Sequence, residues 1–138
     1  WKLFLGNSFN EPIAPNVLPA SITHLDLGNS FKQPIERGIL PPNLKKLNLG
    51  DSFNEPIAPD VLPASITHLD LGNSFNQPIE RGVLPERLES LTLGRSFYKS
   101  IEQDVLPQRL KKLYISRRYN NMAHLEDRFR NIEIILKD

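Results

Sequence analysis

His24–Asp26 and His68–Asp70 recur 44 positions apart, each at the head of the pentapeptide HLDLG. Imidazole and carboxylate side chains at i and i+2 are the groups of general acid–base catalysis and of metal binding. On an extended chain the two side chains share one face, roughly 7 Å apart. Ser90 follows His68 by 22 residues. If residues 22 apart stack strand beside strand, Ser90 and His68 are lateral neighbours at ~4.8 Å. Serine, histidine and aspartate then suggest a nucleophilic triad, but a triad also needs an oxyanion hole and a pocket, and an open sheet supplies neither. A zinc site fares no better. His24 and His68 fall two strands apart, ~10 Å, beyond the reach of one ion. Lys46 stands between them and repels a cation. The GNS stretches lack the glycines and the lysine of a phosphate loop. The chain is therefore read as non-enzymatic, with no catalytic, cofactor or metal residues.

What would position these side chains is a repeat. Aligned with itself, the chain has a period of 22, with units starting at Leu3, Leu25, Leu47, Leu69, Leu91 and Leu113. Unit position 3 is Leu5, Leu27, Leu49, Leu71, Leu93 and Ile115. Position 7 is Phe9, Phe31, Phe53, Phe75, Phe97 and Tyr119. Position 11 is isoleucine in five units, and position 16 is leucine followed by proline in the same five. Units one and three nearly coincide, as do two and four, which reads as duplication of a two-unit block.

Each unit has a physical reading. The alternation in HLDLG predicts a short strand with Leu25 and Leu27 facing inward. Glycine at position 4 ends it and lets the chain bend. Position 14 is Asn16, Gly38, Asp60, Gly82 and Asp104, residue types that tolerate a left-handed backbone and so predict a tight turn. Prolines at positions 10 and 17 forbid a helix across the return leg, which must be extended or 3₁₀. One unit cannot bury its six apolar residues alone, but stacked units can. The expected fold is a leucine-rich-repeat-like solenoid, with a parallel β-sheet on one face and irregular Pro-rich returns on the other.

The pattern breaks after Tyr119. MAHLEDRF predicts a short helix and IEIIL a seventh strand, with Leu125, Phe129, Ile132 and Ile134 repeating the spacing of Leu106, Leu110, Leu113 and Ile115 after a three-residue deletion. Residues 120–138 thus read as a helix–strand cap on a single repeat domain, 1–138. Trp1 opens the chain in mid-pattern, which predicts a longer parent protein.

Composition narrows the class. Net charge is +1 and cysteine is absent, so no overall field recruits nucleic acid, no disulfide is possible, and an intracellular, cytoplasmic home is favoured. No apolar run approaches the ~18 residues of a spanning helix. Residues 87–138 nevertheless hold eleven Lys/Arg against seven Asp/Glu. Arg109, Lys111, Lys112, Arg117 and Arg118 are expected to cluster near the C-terminal end.

The run LxLGxSFNxPIxxxxLPxxLxx resembles the FNIP repeat, a 22-residue member of the leucine-rich-repeat class. Residues 52–57 (SFNEPI) and 74–79 (SFNQPI) fit it closely, residues 30–35 carry Lys32 for asparagine, and residues 96–101 keep Phe97 and Ile101. Ser30 and its equivalents stand where the usual asparagine ladder would be, so a weaker hydroxyl ladder is expected. The resemblance implies arrays found in amoebae and the giant viruses that infect them, often behind an F-box that docks to a ubiquitin ligase while the repeats hold the substrate.

Positions 22 and 2 project from the sheet away from the core. Row one reads Lys2, His24, Lys46, His68, Ser90, Lys112, and row two Phe4, Asp26, Asn48, Asp70, Thr92, Tyr114. Those of residues 24–114 are the expected partner-binding residues: His24, Asp26, Lys46, Asn48, His68, Asp70, Ser90, Thr92, Lys112 and Tyr114. Each His–Asp pair is expected to neutralise itself on a solvated face, and Tyr114, as an exposed aromatic, to contribute most. The expected role is protein–protein recognition by a monomer. The rival is a structural solenoid that self-associates through its open edge strand. Adding zinc should leave the melting temperature unchanged. A rise that vanishes in His68→Ala would restore the metal reading.

Overall fold

The computed structural model describes residues 1–138. Seven short strands run parallel in one sheet, in chain order: β1 Lys2–Phe4, β2 His24–Asp26, β3 Lys46–Asn48, β4 His68–Asp70, β5 Ser90–Thr92, β6 Lys112–Ser116 and β7 Glu133–Lys137. One helix, α1 (Met122–Arg128), precedes β7. From β1 to β6 the register sets each residue against its 22-residue equivalent, as in Leu3↔Leu25↔Leu47↔Leu69↔Leu91↔Leu113. The solenoid is therefore the one the repeat demands.

Proline shapes each return leg through its carbonyl. Pro19, Pro41, Pro63, Pro85 and Pro107 accept from the N–H three residues on, closing one turn per unit at 3.1–3.3 Å. A second turn is left-handed at Asn16, Gly38, Asp60 and Gly82. Asp104, expected to match them, lies outside that region.

The glycine column is obligatory for two reasons. Gly28, Gly50 and Gly72 have φ of 80–82°, and a Cβ on any of them would strike the carbonyl of the preceding unit's glycine. The chain turns there at the closest approach between units.

The asparagine ladder exists, but one residue beyond the phenylalanine rather than at the serines. Asn10 Oδ1 accepts from the Lys32 N–H at 2.8 Å, Asn54 from Asn76 at 2.8 Å, and Asn76 from Tyr98 at 2.9 Å. Gln33 and Gln77 brace it by donating to Asn10 and Asn54. Lys32 interrupts it, since an ammonium offers no acceptor to the next unit. The expected serine ladder is thus corrected: the amide of SFN, one residue beyond the phenylalanine, carries the side-chain bonds from unit to unit.

The C-terminal cap forms, with a different register. Leu113 pairs with Ile134 and Ile115 with Leu136, not with Ile132 and Ile134. Ile132 instead repeats Leu110: its N–H closes a turn onto Phe129, as that of Leu110 does onto Pro107. The cap unit is one residue short, not three. Leu125 of α1 is buried at its end of the stack.

Thirty-two residues form one continuous apolar core. Its axis is a file of parallel rings, Phe9, Phe31, Phe53, Phe75, Phe97 and Tyr119, with centroids 6.0–6.3 Å apart. The Tyr119 hydroxyl donates to the Lys99 carbonyl at 2.7 Å, so the only polar ring is satisfied at the end of the file. Phe53 is fully buried between two rings. Phe53→Ala should cost about 3–5 kcal/mol. A loss under about 1 kcal/mol in a denaturant melt would show that the site collapses without a cavity.

Candidate functional site

The sheet face is built by the period-2 alternation of each strand. The central leucine turns inward, and the residues before and after it turn out. Register then lines up two rows, Lys2–His24–Lys46–His68–Ser90–Lys112 and Phe4–Asp26–Asn48–Asp70–Thr92–Tyr114. They flank an open groove of about 460 Å³ that crosses β1 to β5. Eight of the ten expected binding residues line it. Lys112 and Tyr114 continue the rows beyond its end.

The two rows are chemically different. In row two the polar groups are engaged by the backbone. Asp26, Asn48 and Asp70 each accept, through Oδ1, from the N–H of the glycine two residues on, at 2.9 Å. Asn48 also donates to Asp26 Oδ2 at 3.3 Å. These side chains hold the bend that ends each strand. The sequence signal was present as the spacing [D/N]-L-G, and the sequence reading passed over it.

Row one is not engaged with acids. His24 Nδ1 lies 3.0 Å from Thr23 Oγ1, and His68 Nδ1 lies 2.9 Å from Thr67 Oγ1. Self-neutralising His–Asp pairs are therefore corrected: each histidine turns to its own threonine and each aspartate to its own glycine. His68 Nδ1 and Asp70 Oδ1 are thus bonded to Thr67 and Gly72, and Ser90 is the neighbour of His68 by register. Removal from water, then Lys2 and Lys46, lowers the pKa of His24 below 6.5. Removal from water and Lys46 lower that of His68, with Glu89 opposing.

Tyr114 is not the exposed aromatic expected. It is half-buried, and Lys137 Nζ lies 5.1 Å from the ring centroid, because β7 brings that lysine alongside. The exposed aromatics are Trp1, Phe4 and Tyr98, and of these Phe4 stands on the sheet face. The expected basic cluster is also dispersed. Lys111 pairs with Glu89 and Arg117 with Asp138, both at 3.2 Å. Lys112 lies on the sheet face, and Arg109 joins Arg81, Arg87 and Asp104 around a separate hollow among the returns.

Burial raises the pKa of Asp70 above 3.8, against the opposing pull of the Gly72 N–H and Lys137. A carboxyl whose folded pKa is raised favours folding below its unfolded pKa, and this contribution is lost as pH climbs to the folded value. Asp70→Asn keeps the Oδ1 acceptor, as Asn48 already does in its unit. The variant should be more stable than the parent at neutral pH, with the gain vanishing in acid below the ordinary carboxylate range. Urea melts across that range check it, and a loss of stability at neutral pH would contradict it.

A family model for the FNIP repeat matches residues 2–30, 31–74 and 75–118. Among solved structures, the crystal structure of CroV588, described as a novel circular leucine-rich-repeat protein, is similar over 96% of this chain at 34% identity and a TM-score of 0.76. The chain spans 23% of that protein's length. A search of curated proteins gave no match. No helix is long and apolar enough to cross a membrane.

Proposed function

Because the chain belongs to the FNIP repeat family, we propose that it is a protein–protein recognition module whose contact surface is the sheet face. One observation carries this. The inward columns are nearly invariant, whereas the row from Lys2 to Lys112 changes from unit to unit on a rigid backbone. A rigid surface presents side chains at low entropic cost, and one that alternates lysine and histidine before changing to Ser90 and Lys112 sets a defined order of groups for a partner to match. Row two contributes less freedom, because Asp26, Asn48 and Asp70 also hold turns. Repeat solenoids of this kind are ordinarily scaffolds for binding rather than enzymes.

The more specific reading is the substrate-binding arm of an F-box-type ubiquitin-ligase adaptor working in the cytoplasm. The family resemblance supports it, and co-purification of the protein with a ubiquitin-ligase core would test it. A second reading is a self-associating structural solenoid. A monodisperse monomer at high concentration in light scattering would count against it.

An alanine scan tests the recognition surface. Against a partner of measured affinity, Lys46→Ala and Lys112→Ala should each weaken binding by about 1 kcal/mol or more, and Lys46, in mid-groove, should dominate. Glu36→Ala, Arg37→Ala and Glu80→Ala, on the returns, should be neutral. The reverse pattern would move the recognition surface to the return face.

A further inference from the structure

We propose that the row Lys2–His24–Lys46–His68–Lys112 binds an extended acidic segment of a partner protein, laid across the strands along the groove. The proposal rests on the sheet face being the recognition surface, and it names the chemistry of the occupant.

The argument begins with pairing. The ion pairs of the molecule lie at Arg37–Asp60, Lys111–Glu89, Arg117–Asp138, Arg128–Glu102 and Arg130–Asp127. Lys2, Lys46 and Lys112 take part in none of them. The facing carboxylates of Asp26 and Asp70 are held by Gly28, Asn48 and Gly72 and do not turn toward the lysines. The groove therefore has one cationic wall and one acceptor wall. An anionic chain is drawn to the first and kept from the second.

Spacing favours a peptide. Lys2 and Lys46 are two strands apart, ~10 Å, with the histidine of β2 between them. Acidic residues at alternate positions of an extended segment recur every ~6.8 Å on one side, and flexible lysine stems absorb the mismatch. Residues of the other parity face Asp26, Asn48 and Asp70, where neutral donors fit. Single-stranded nucleic acid fits less well. It needs stacking platforms beside its phosphates, and the aromatics of this face, Phe4 and Tyr114, sit at opposite ends of the row on β1 and β6. Asp26 and Asp70 would also repel a second line of phosphates.

The histidines make such binding sensitive to pH. The charged and titratable groups around His24 are Lys2 on β1, Lys46 on β3, His68 on β4 and Asp26 on its own strand. Around His68 they are Lys46 on β3, Glu89 before β5 and Asp70. Removal from water and the adjacent lysines both lower the histidine pKa values, so the rings are neutral near pH 7. An acidic occupant counters the lysines and favours the imidazolium, so binding takes up protons and tightens as pH falls.

The probe is a fluorescein-labelled peptide of alternating glutamate and serine, titrated into the full chain at low salt. A lysine–serine peptide and a single-stranded oligonucleotide of matching charge serve as comparisons. The glutamate peptide should saturate and should tighten severalfold from about pH 7.5 to about pH 6. Lys46→Glu should weaken it about tenfold or more, and Lys46→Gln should weaken it less. The double variant His24→Gln/His68→Gln should keep the dependence on Lys46 and lose that on pH. Thermal melts of each variant establish that it is folded. Preferential binding of the lysine peptide, abolished by Asp26→Asn/Asp70→Asn, overturns the acidic-segment proposal while leaving the sheet face as recognition surface. Tighter binding of the oligonucleotide overturns it in favour of nucleic acid. Glutamate-peptide binding that ignores Lys46 but is lost in Arg81→Glu/Arg87→Glu overturns both this proposal and the sheet face as recognition surface.

Discussion

In a solenoid of fixed period every residue lies beside its own equivalents, so like must stack on like. For apolar residues this is an advantage. A column of aromatic rings at 6.0–6.3 Å, stacked in near-parallel planes, needs only one solution to the packing problem, repeated. For asparagine it is also an advantage, because an amide can accept from the unit on one side while its own N–H is bound by the unit on the other, as at Asn76. For charged residues it is a liability, since like charges directly opposite on neighbouring strands repel.

The 44-residue echo follows this constraint. In row one Lys2 and Lys46 are separated by His24, and Lys46 is followed by His68. A ring whose pKa is depressed by removal from water and then by those same lysines is neutral, so it insulates them. In row two Asp26 and Asp70 are separated by Asn48, which also donates to Asp26. On the return leg Arg37 of one unit meets Asp60 of the next at 3.3 Å. A single-unit repeat would have placed lysine on lysine and aspartate on aspartate. Alternating two unit types keeps the interior uniform and breaks up charge on the surface.

Much of the fold was legible because the interior columns carry one residue type each, and a period of 22 with strand alternation admits one stacking. The misreadings lie where a side chain has two possible duties. Asp26 and Asp70 read as surface charge because alternation predicts only direction, not the backbone N–H that the side chain meets after the bend. Ser30 occupies the usual ladder position of the pattern, but the amides that meet the next unit's N–H are those of Asn10, Asn54 and Asn76, two residues further on in each unit. In the cap, apolar spacing alone could not tell whether Ile132 closes a turn or begins a strand. Tyr114 read as exposed because the seventh strand's lysine, Lys137, lies outside the repeat that places it.

This division of duties also sets how the surface can specialise. A residue in row two is tied to the turn when it is Asp or Asn, so a change there alters the bend along with the contact. Row one has no such tie: its lysines have no carboxylate partner, and its histidines bond only to the preceding threonine. Substitution in that row perturbs the fold least and the partner surface most. The interior, the turns and the ladder leave this row free to vary, and the lysines of the sheet face that have no carboxylate partner stand along it.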